Sequence, residues 1–273
     1  MSRLVEKRSE PGQPAAPREW LVAAYQPVTM FSLRMTHATS KGGKTLVLPT
    51  PYAVKMALLD VCFRRFPASE ALTRARSVFD WIKAADVRVR PPKHCLVNNT
   101  FVKVLDWNRD GVDPFRQTIA YRELAFYGGD ELLIAIAVDG LDADKRRTLS
   151  ELFAHINSLG KRGGFVQFTV ARIHEGDLPW GFTVSRAHLT PDQIMGYLVT
   201  HALDDFGGAL IGAKDGFDRV STYGTGTIKL GEHRTLTATA IPYTRKSSSR
   251  HFTWYERTEN VSSPADVNLP IAG

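Results

Sequence analysis

The chain has 273 residues, 43% of them hydrophobic, which suffices for one large domain or two small ones with an ordinary core. Its 35 Lys and Arg outnumber 28 Asp and Glu, and the formal charge of +7 favours polyanionic partners. Cys62 and Cys95 form no CxxC or Cys/His cluster, which disfavours a structural zinc site, and no run of about 18 apolar residues is available to span a bilayer.

Residues 1–18 are charged and rich in Pro and Ala, and read as a flexible arm without the apolar core of a signal peptide. Trp20–Met35 reads as a strand broken near Pro27. Thr50 is placed to cap a helix with Pro51 at its first position, and Val54, Leu58, Val61 and Cys62 form its apolar stripe to about Phe66. Ser69–Ala85 is expected to be a second helix, capped by Ser69, with Leu72, Ala75, Phe79 and Ile82 at the helical period. Val87–Arg90 reads as a short strand ended by Pro91-Pro92. Cys95–Trp107 and Gln117–Tyr127, joined by the polar turn 108–113, read as a long hairpin. Leu132–Asp139 is expected to be a buried strand. Asp142 or Asp144 caps a third helix with Leu149, Leu152, Phe153, Ile156 and Leu159 on its core face, and Gly160 is placed as its C-cap. Phe165–Ile173 reads as a strand. The order β-α-(α)-β-hairpin-β-α-β is ferredoxin-like with a hairpin inserted. Beyond it, Pro191–Phe206 reads as a helix capped by Thr190, followed by a β-rich tail over Arg219–Glu256. The expected division is an arm at 1–18, a first domain at 19–175 with its hairpin at about 95–127, a β-rich region at 176–258 and a flexible tail at 259–273.

Four segments carry chemistry. After Arg34, the loop at 36–45 holds His37, Thr39, Ser40, Lys41 and Lys44 around Gly42-Gly43, just ahead of a helix start. Hydroxyls, cations and backbone N–H groups there suit a phosphate, although a solvated surface loop has the same composition. The spacing G-x-x-x-x-G-K-[ST] is absent, which argues against nucleotide hydrolysis. The turn Lys161-Arg162-Gly163-Gly164 pairs two cations with glycines that let a phosphodiester approach the backbone. The hairpin carries Asn99, Thr100, Lys103, Tyr121 and Arg122, either as one solvated face or as a ribbon that separates or stacks bases, with Trp107 near its tip as a wedge. The loop Thr222–Thr227 presents Tyr223 beside two glycines and could hold an unpaired base. The tail 245–257 mixes cations with aromatics, a composition that suits a nucleic-acid groove and equally a subunit contact. The eight histidines form no H-E-x-x-H pair and no G-x-S-x-G elbow is present, so no metal, cofactor or hydrolase machinery is expected. Both cysteines read as reduced packing residues, which suits the cytoplasm.

Taken together, these segments resemble the RAMP superfamily of CRISPR-associated proteins, and within it family five, the Cascade subunit that caps the 5′ end of the guide RNA. The resemblance rests on the loop and proline-rich helix entry Leu48–Leu59, on Gln117–Leu124 after the hairpin, and on helix 142–159 with the turn Leu159–Gly164. It spans about residues 20–175 and leaves the tail unmatched. It implies an α+β fold, a ferredoxin-like (RRM/RAMP) domain with an inserted thumb β-hairpin and a β-rich C-terminal region. It also implies binding and capping of the crRNA 5′ handle in a type I Cascade-like effector, in antiviral defence. The RNA-binding residues would be Arg34, His37, Thr39, Ser40, Lys41, Lys44, Asn99, Thr100, Lys103, Tyr121, Arg122, Lys161, Arg162 and Tyr223. Partners would be the guide RNA, the backbone and large subunits of the effector and target DNA, with no membrane. Some relatives cleave precursor RNA with Tyr, Lys and His side chains. The alternative is therefore a metal-independent endoribonuclease, for which Tyr121, Lys44 and His37 are the candidates. A protein-interaction scaffold without RNA affinity is a third reading.

Overall fold

The computed structural model describes residues 18–35, 38, 42–107, 115–160, 163–191 and 196–259. In chain order the elements are β1 (Glu19–Pro27), β2 (Gly42–Gly43), α1 (Pro51–Arg65), α2 (Ala68–Ile82), β3 (Val87–Arg90), β4 (His94–Trp107), β5 (Phe115–Gly128), β6 (Leu132–Ala137), α3 (Ala143–Ala154) and β7 (Val166–Glu175). There follow β8 (Val184–Ser185), β9 (Val199–Phe206), two short helices, α4 (Gly208–Ile211) and α5 (Gly216–Val220), then β10 (Arg234–Ile241), β11 (Tyr243–Ser248) and β12 (Phe252–Arg257). Helices and antiparallel sheets mix in an α+β fold.

The first sheet has the order β3-β6-β1-β7, with every pair antiparallel. Leu21, Ala23 and Tyr25 of β1, Ile134 and Ile136 of β6, and Val87 and Val89 of β3 meet the stripes of α1, α2 and α3 in the main core. The opposite face is covered too. Trp20, Ala24, Leu133 and Ala135 pack under Phe182, with Leu178 beside it. Trp20 Nε1 donates to the Gly176 carbonyl at 3.1 Å, and the Tyr197 hydroxyl donates to the Phe182 carbonyl at 2.8 Å, which pins the covering segment. A strand buried on both faces needs a continuous apolar run, and the β6 sequence LLIAIA supplies it.

Helix starts follow local chemistry. Thr50 Oγ1 accepts from Ala53 N at 3.1 Å with Pro51 in the first turn, and Asp142 Oδ1 accepts from Lys145 N at 2.9 Å. The second helix departs from expectation. It begins at Ala68, because the Pro67 carbonyl already receives Glu70 N and Ala71 N, so Ser69 lies inside the helix and caps nothing. Its buried stripe is Ala71, Ala75, Val78, Phe79 and Ile82, and Leu72 is exposed. The third helix also ends early, at Ala154. Gly160 is therefore not its C-cap. It sits at φ +78° in a turn where Leu159 N donates to the Gly164 carbonyl at 2.9 Å.

The expected helix over Pro191–Phe206 is corrected most. Val199–Phe206 is strand β9, paired with β10 from Val199↔Ile241 to Phe206↔Arg234. A Thr-rich partner strand and ion pairs to other elements override the local period. Asp204 pairs with Arg234, and Asp205 receives Lys55 Nζ at 2.8 Å. Lys55 is 1% exposed and also donates to the Lys83 carbonyl at 3.3 Å, so one buried ammonium joins α1, the end of α2 and β9. The C-terminal hairpin does not stand apart. β12 adds to β4 in the sheet β11-β12-β4-β5-β2, with the Tyr243 hydroxyl on the Pro92 carbonyl at 2.7 Å and Arg257 on Asp130 at 2.6 Å.

His201 of β9 has a buried Nδ1 without a partner among the described residues, and burial depresses its pKa from 6.5 to about 4. In acid the unfolded chain takes up this proton before the folded one does. The stability contribution is complete above the unfolded value near 6.5 and is lost as pH falls toward about 4. Denaturant titrations should show a loss on the order of 2 kcal/mol between about pH 7 and pH 5, and His201→Gln should remove that portion of the pH dependence.

Candidate nucleic-acid interface

Three of the predicted segments converge on residues 29–35. After Pro27 the chain leaves the first sheet and lies along β5. Phe31 and Ala125 exchange both backbone hydrogen bonds at 2.8 Å, and the Phe31 ring meets Tyr127 edge-on at 5.2 Å. Next, Arg34 bridges Thr45, Met35 N donates to the Lys44 carbonyl at 3.1 Å, and Leu33 N donates to Thr45 Oγ1 at 2.8 Å. The base of loop 36–44 is thus closed as a short antiparallel pair. Gly42 and Gly43 then pair in parallel with Tyr121 and Arg122 at the hairpin root. A Cβ on Gly43 would lie 2.9 Å from Arg122 Cδ and 3.3 Å from the Tyr121 carbonyl, so close approach explains the glycine.

Glu123 fastens this junction. Its Oε1 accepts the Tyr121 hydroxyl at 2.9 Å and its Oε2 accepts Thr45 N at 2.9 Å. Burial, the hydrogen bond to Glu123 and the Glu123 charge push the Tyr121 hydroxyl up to about 12. Tyr121 is held as a donor and is a poor proton acceptor near neutrality.

The turn at 160–164 docks on the same segment. Thr29 Oγ1 donates to the Gly163 carbonyl and accepts from Phe165 N at 2.8 Å. Gly160 presses on Leu33 and Gly164 on Phe31, at distances that leave no room for a Cβ. The packing thereby gathers exposed Arg34, exposed Lys44, Tyr121, Arg122 and the flanks of the basic turn around one strip of chain. Arg34 donates to the Ala38 carbonyl within the loop. His37, Thr39, Ser40, Lys41, Lys161 and Arg162 lie outside the described residues, as do the hairpin turn 108–114 and the Trp107 side chain.

Other predicted residues go elsewhere. The Asn99 amide donates to the Arg250 carbonyl at 2.9 Å, which braces the β11–β12 turn. Thr100 faces Arg122 across the hairpin, and Lys103 is exposed further out. Tyr223 is 74% exposed and rests on Phe63 of α1 at 5.1 Å. Its loop follows α5 rather than a strand, and packing accounts for its glycines: a Cβ on Gly224 would lie 1.8 Å from the Asp218 carbonyl. A cleft of about 530 Å³ connects the two regions, with Leu33, Arg34 and Gly160 on one wall and Ser221 and Thr222 on the other. On its floor Arg234 lies 4.4 Å above the Tyr52 ring.

The hairpin itself supplies what sequence reading missed. Cys95, Val97, Ala125 and Tyr127 share its inward face and are packed in the main core. The same face continues outward through Phe101, Leu105, Ile119 and Phe115, which are 56–72% exposed. The alternation persists while the core beneath it stops. Glu123 was also missed, because a lone carboxylate among cations carries no motif. Among the described residues no cluster of three His, Cys, Asp or Glu is placed to hold a metal, and no helix is long and apolar enough to cross a membrane.

Glu123→Ala should free the loop from the hairpin. Amide exchange across residues 42–46 should speed up at least about tenfold, with a stability loss of about 1–2 kcal/mol in denaturant titration.

No protein-family model matches the chain. A curated relative, the CRISPR-associated protein Cas5 of Archaeoglobus fulgidus, is 25% identical over 126 residues, which cover 45% of this chain and 54% of the relative. The chain therefore spans about half the length of that curated relative. A crystal structure of a CRISPR protein from Archaeoglobus fulgidus aligns over 88% of this chain and 92% of that chain, at 9% identity and a TM-score of 0.43. The chain is thus similar over 126 residues to a CRISPR-associated Cas5 protein, in line with the family resemblance read from its sequence.

Proposed function

We propose that the chain is the guide-RNA-binding subunit of a type I CRISPR effector and that it caps the 5′ handle of the crRNA. The observation that carries this reading is the convergence of loop 36–44, hairpin root 121–123 and turn 160–164 on residues 29–35. Cations and backbone donors at such a junction suit consecutive phosphates, and glycines admit the sugar–phosphate chain. The name of the curated Cas5 relative supports the CRISPR context.

The order β3-β6-β1-β7, with α1–α2 and α3 as its two crossovers, supports a ferredoxin-like domain. An RRM with this sheet would offer its open face to RNA. Here that face is filled by Trp20 and Phe182, so the RNA would run over the loops and the hairpin instead. The projecting hairpin, with its uncovered apolar face, would reach RNA or a neighbouring effector subunit. The static role fits Tyr121, whose proton is held by Glu123, better than cleavage does. Such a protein would act in the cytoplasm, where guide RNA is made and used.

Binding of labelled repeat RNA to the purified chain should weaken with salt, and replacing both Lys161 and Arg162 by Ala should reduce the salt slope by up to about two counterions. An unchanged slope would remove the turn from the interface. Site-specific cleavage of the RNA in chelator would instead favour the ribonuclease. Replacing residues 105–116 by a short turn should leave the thermal transition cooperative while handle binding or effector assembly falls. Equal assembly would return the hairpin to a solvated ornament of the fold.

A further inference from the structure

We infer that the outward face of the five-stranded sheet is a stacking platform for single-stranded RNA, centred on Trp254. This rests on the RNA-binding reading above and extends it to the mixed cationic and aromatic tail, which the junction does not use.

Trp254 lies directly opposite Leu96, and Leu96 directly opposite Phe126, so the three form one row across β12, β4 and β5. They are 39%, 38% and 38% exposed, and none belongs to either core cluster. Strand alternation places Phe252, Asn98 and Leu124 in the next row on the same face, then Thr100 and Arg122. Aromatic surface, hydrogen-bonding side chains and a cation therefore follow one another toward the Gly43 edge, where loop 36–44 joins the hairpin. RNA held at that junction has a continuous path onto this face.

Charge selects the occupant. At the root of this face Lys246 neutralises the Glu256 carboxylate at 3.2 Å. Arg122 on the face and the formal charge of +7 on the chain favour a polyanionic occupant. Three residues about two-fifths exposed also leave far less apolar area than the roughly 800 Å² per partner of a stable protein interface. The partly exposed rings of Trp254 and Phe126 are stacking partners of a kind that serves unstacked bases of any sequence.

The test uses the full chain and a short fluorescein-labelled oligouridine. Trp254→Ala should weaken binding about tenfold while leaving the salt slope unchanged, because a stacking partner is lost and no phosphate contact. Trp254→Phe should restore affinity to within about threefold. Phe126→Ala provides an independent variant of the same row, and a cooperative melt confirms that each variant folds. Parent-like affinity in both alanine variants, with Lys161→Ala/Arg162→Ala still impaired, overturns the platform and leaves the RNA reading standing. Parent-like RNA affinity together with lost self-association assigns the row to a protein contact and also overturns the platform. Absence of any oligouridine or repeat-RNA binding by the parent chain overturns both readings.

Discussion

The two hydrogen bonds between Phe31 and Ala125 hold together what the rest of the surface depends on. They seat residues 29–35 against the root of the long hairpin, while Thr29, Leu33 and Phe31 receive the turn at 160–164 from the other side. Phe31 is fully buried, so this strip is part of the core and not a loose connector. Two segments remote from it in sequence are brought together because one short extended strip offers a backbone edge to one and a packed floor to the other. Phosphate-binding chemistry needs that kind of rigidity, since cations on independent loops lose entropy when they close on a ligand.

Burying both faces of the first sheet has a functional consequence. A four-stranded antiparallel sheet with helices on one side leaves a second side that water or a ligand must cover. Here the chain covers it with its own segment through Leu178 and Phe182, fixed by Trp20 and Tyr197. The apolar character of Leu133 and Ala135 matches that cover and would serve poorly as an exposed surface. The second face of this sheet is therefore closed by the chain's own segment.

The hairpin shows how one strand pair can serve two environments. At its root the inward face is core and the outward face carries half-exposed Leu96 and Phe126. Beyond Asn99 and Glu123 the inward face emerges as well, with Phe101, Leu105, Ile119 and Phe115 uncovered. The strands persist because cross-strand pairing runs uninterrupted from His94↔Gly128 to Trp107↔Phe115. Ladder hydrogen bonds and paired side chains maintain a ribbon where burial no longer contributes.

Local patterns in the sequence placed several elements whose deciding interaction was local. The Thr50-Pro51 start of α1 and an Asp cap at 142 or 144 depend on neighbours a few residues away, and the hairpin strands show their alternation along each run, so these could be read from the sequence. The CRISPR resemblance was legible for the same reason, because loop, proline-rich helix entry and basic turn are short contiguous motifs. Tertiary structure decided the remainder. β9 is a strand because Arg234–Ile241 pairs with it and because Asp204 and Asp205 find cations on distant elements, which outweighs its local period. Gly160 combines a positive φ with close approach to Leu33, and Gly164 and Gly224 are crowded by the Leu159 and Asp218 carbonyls, so backbone packing accounts for glycines whose spacing suggested caps and phosphates. Glu123 became visible only when folding laid Thr45 and Tyr121 against it. Sequence determined which polar and charged groups the chain carries, and only three-dimensional packing determined which of the described ones lie together, because hydrogen bonds and close packing act across space without regard to separation along the chain.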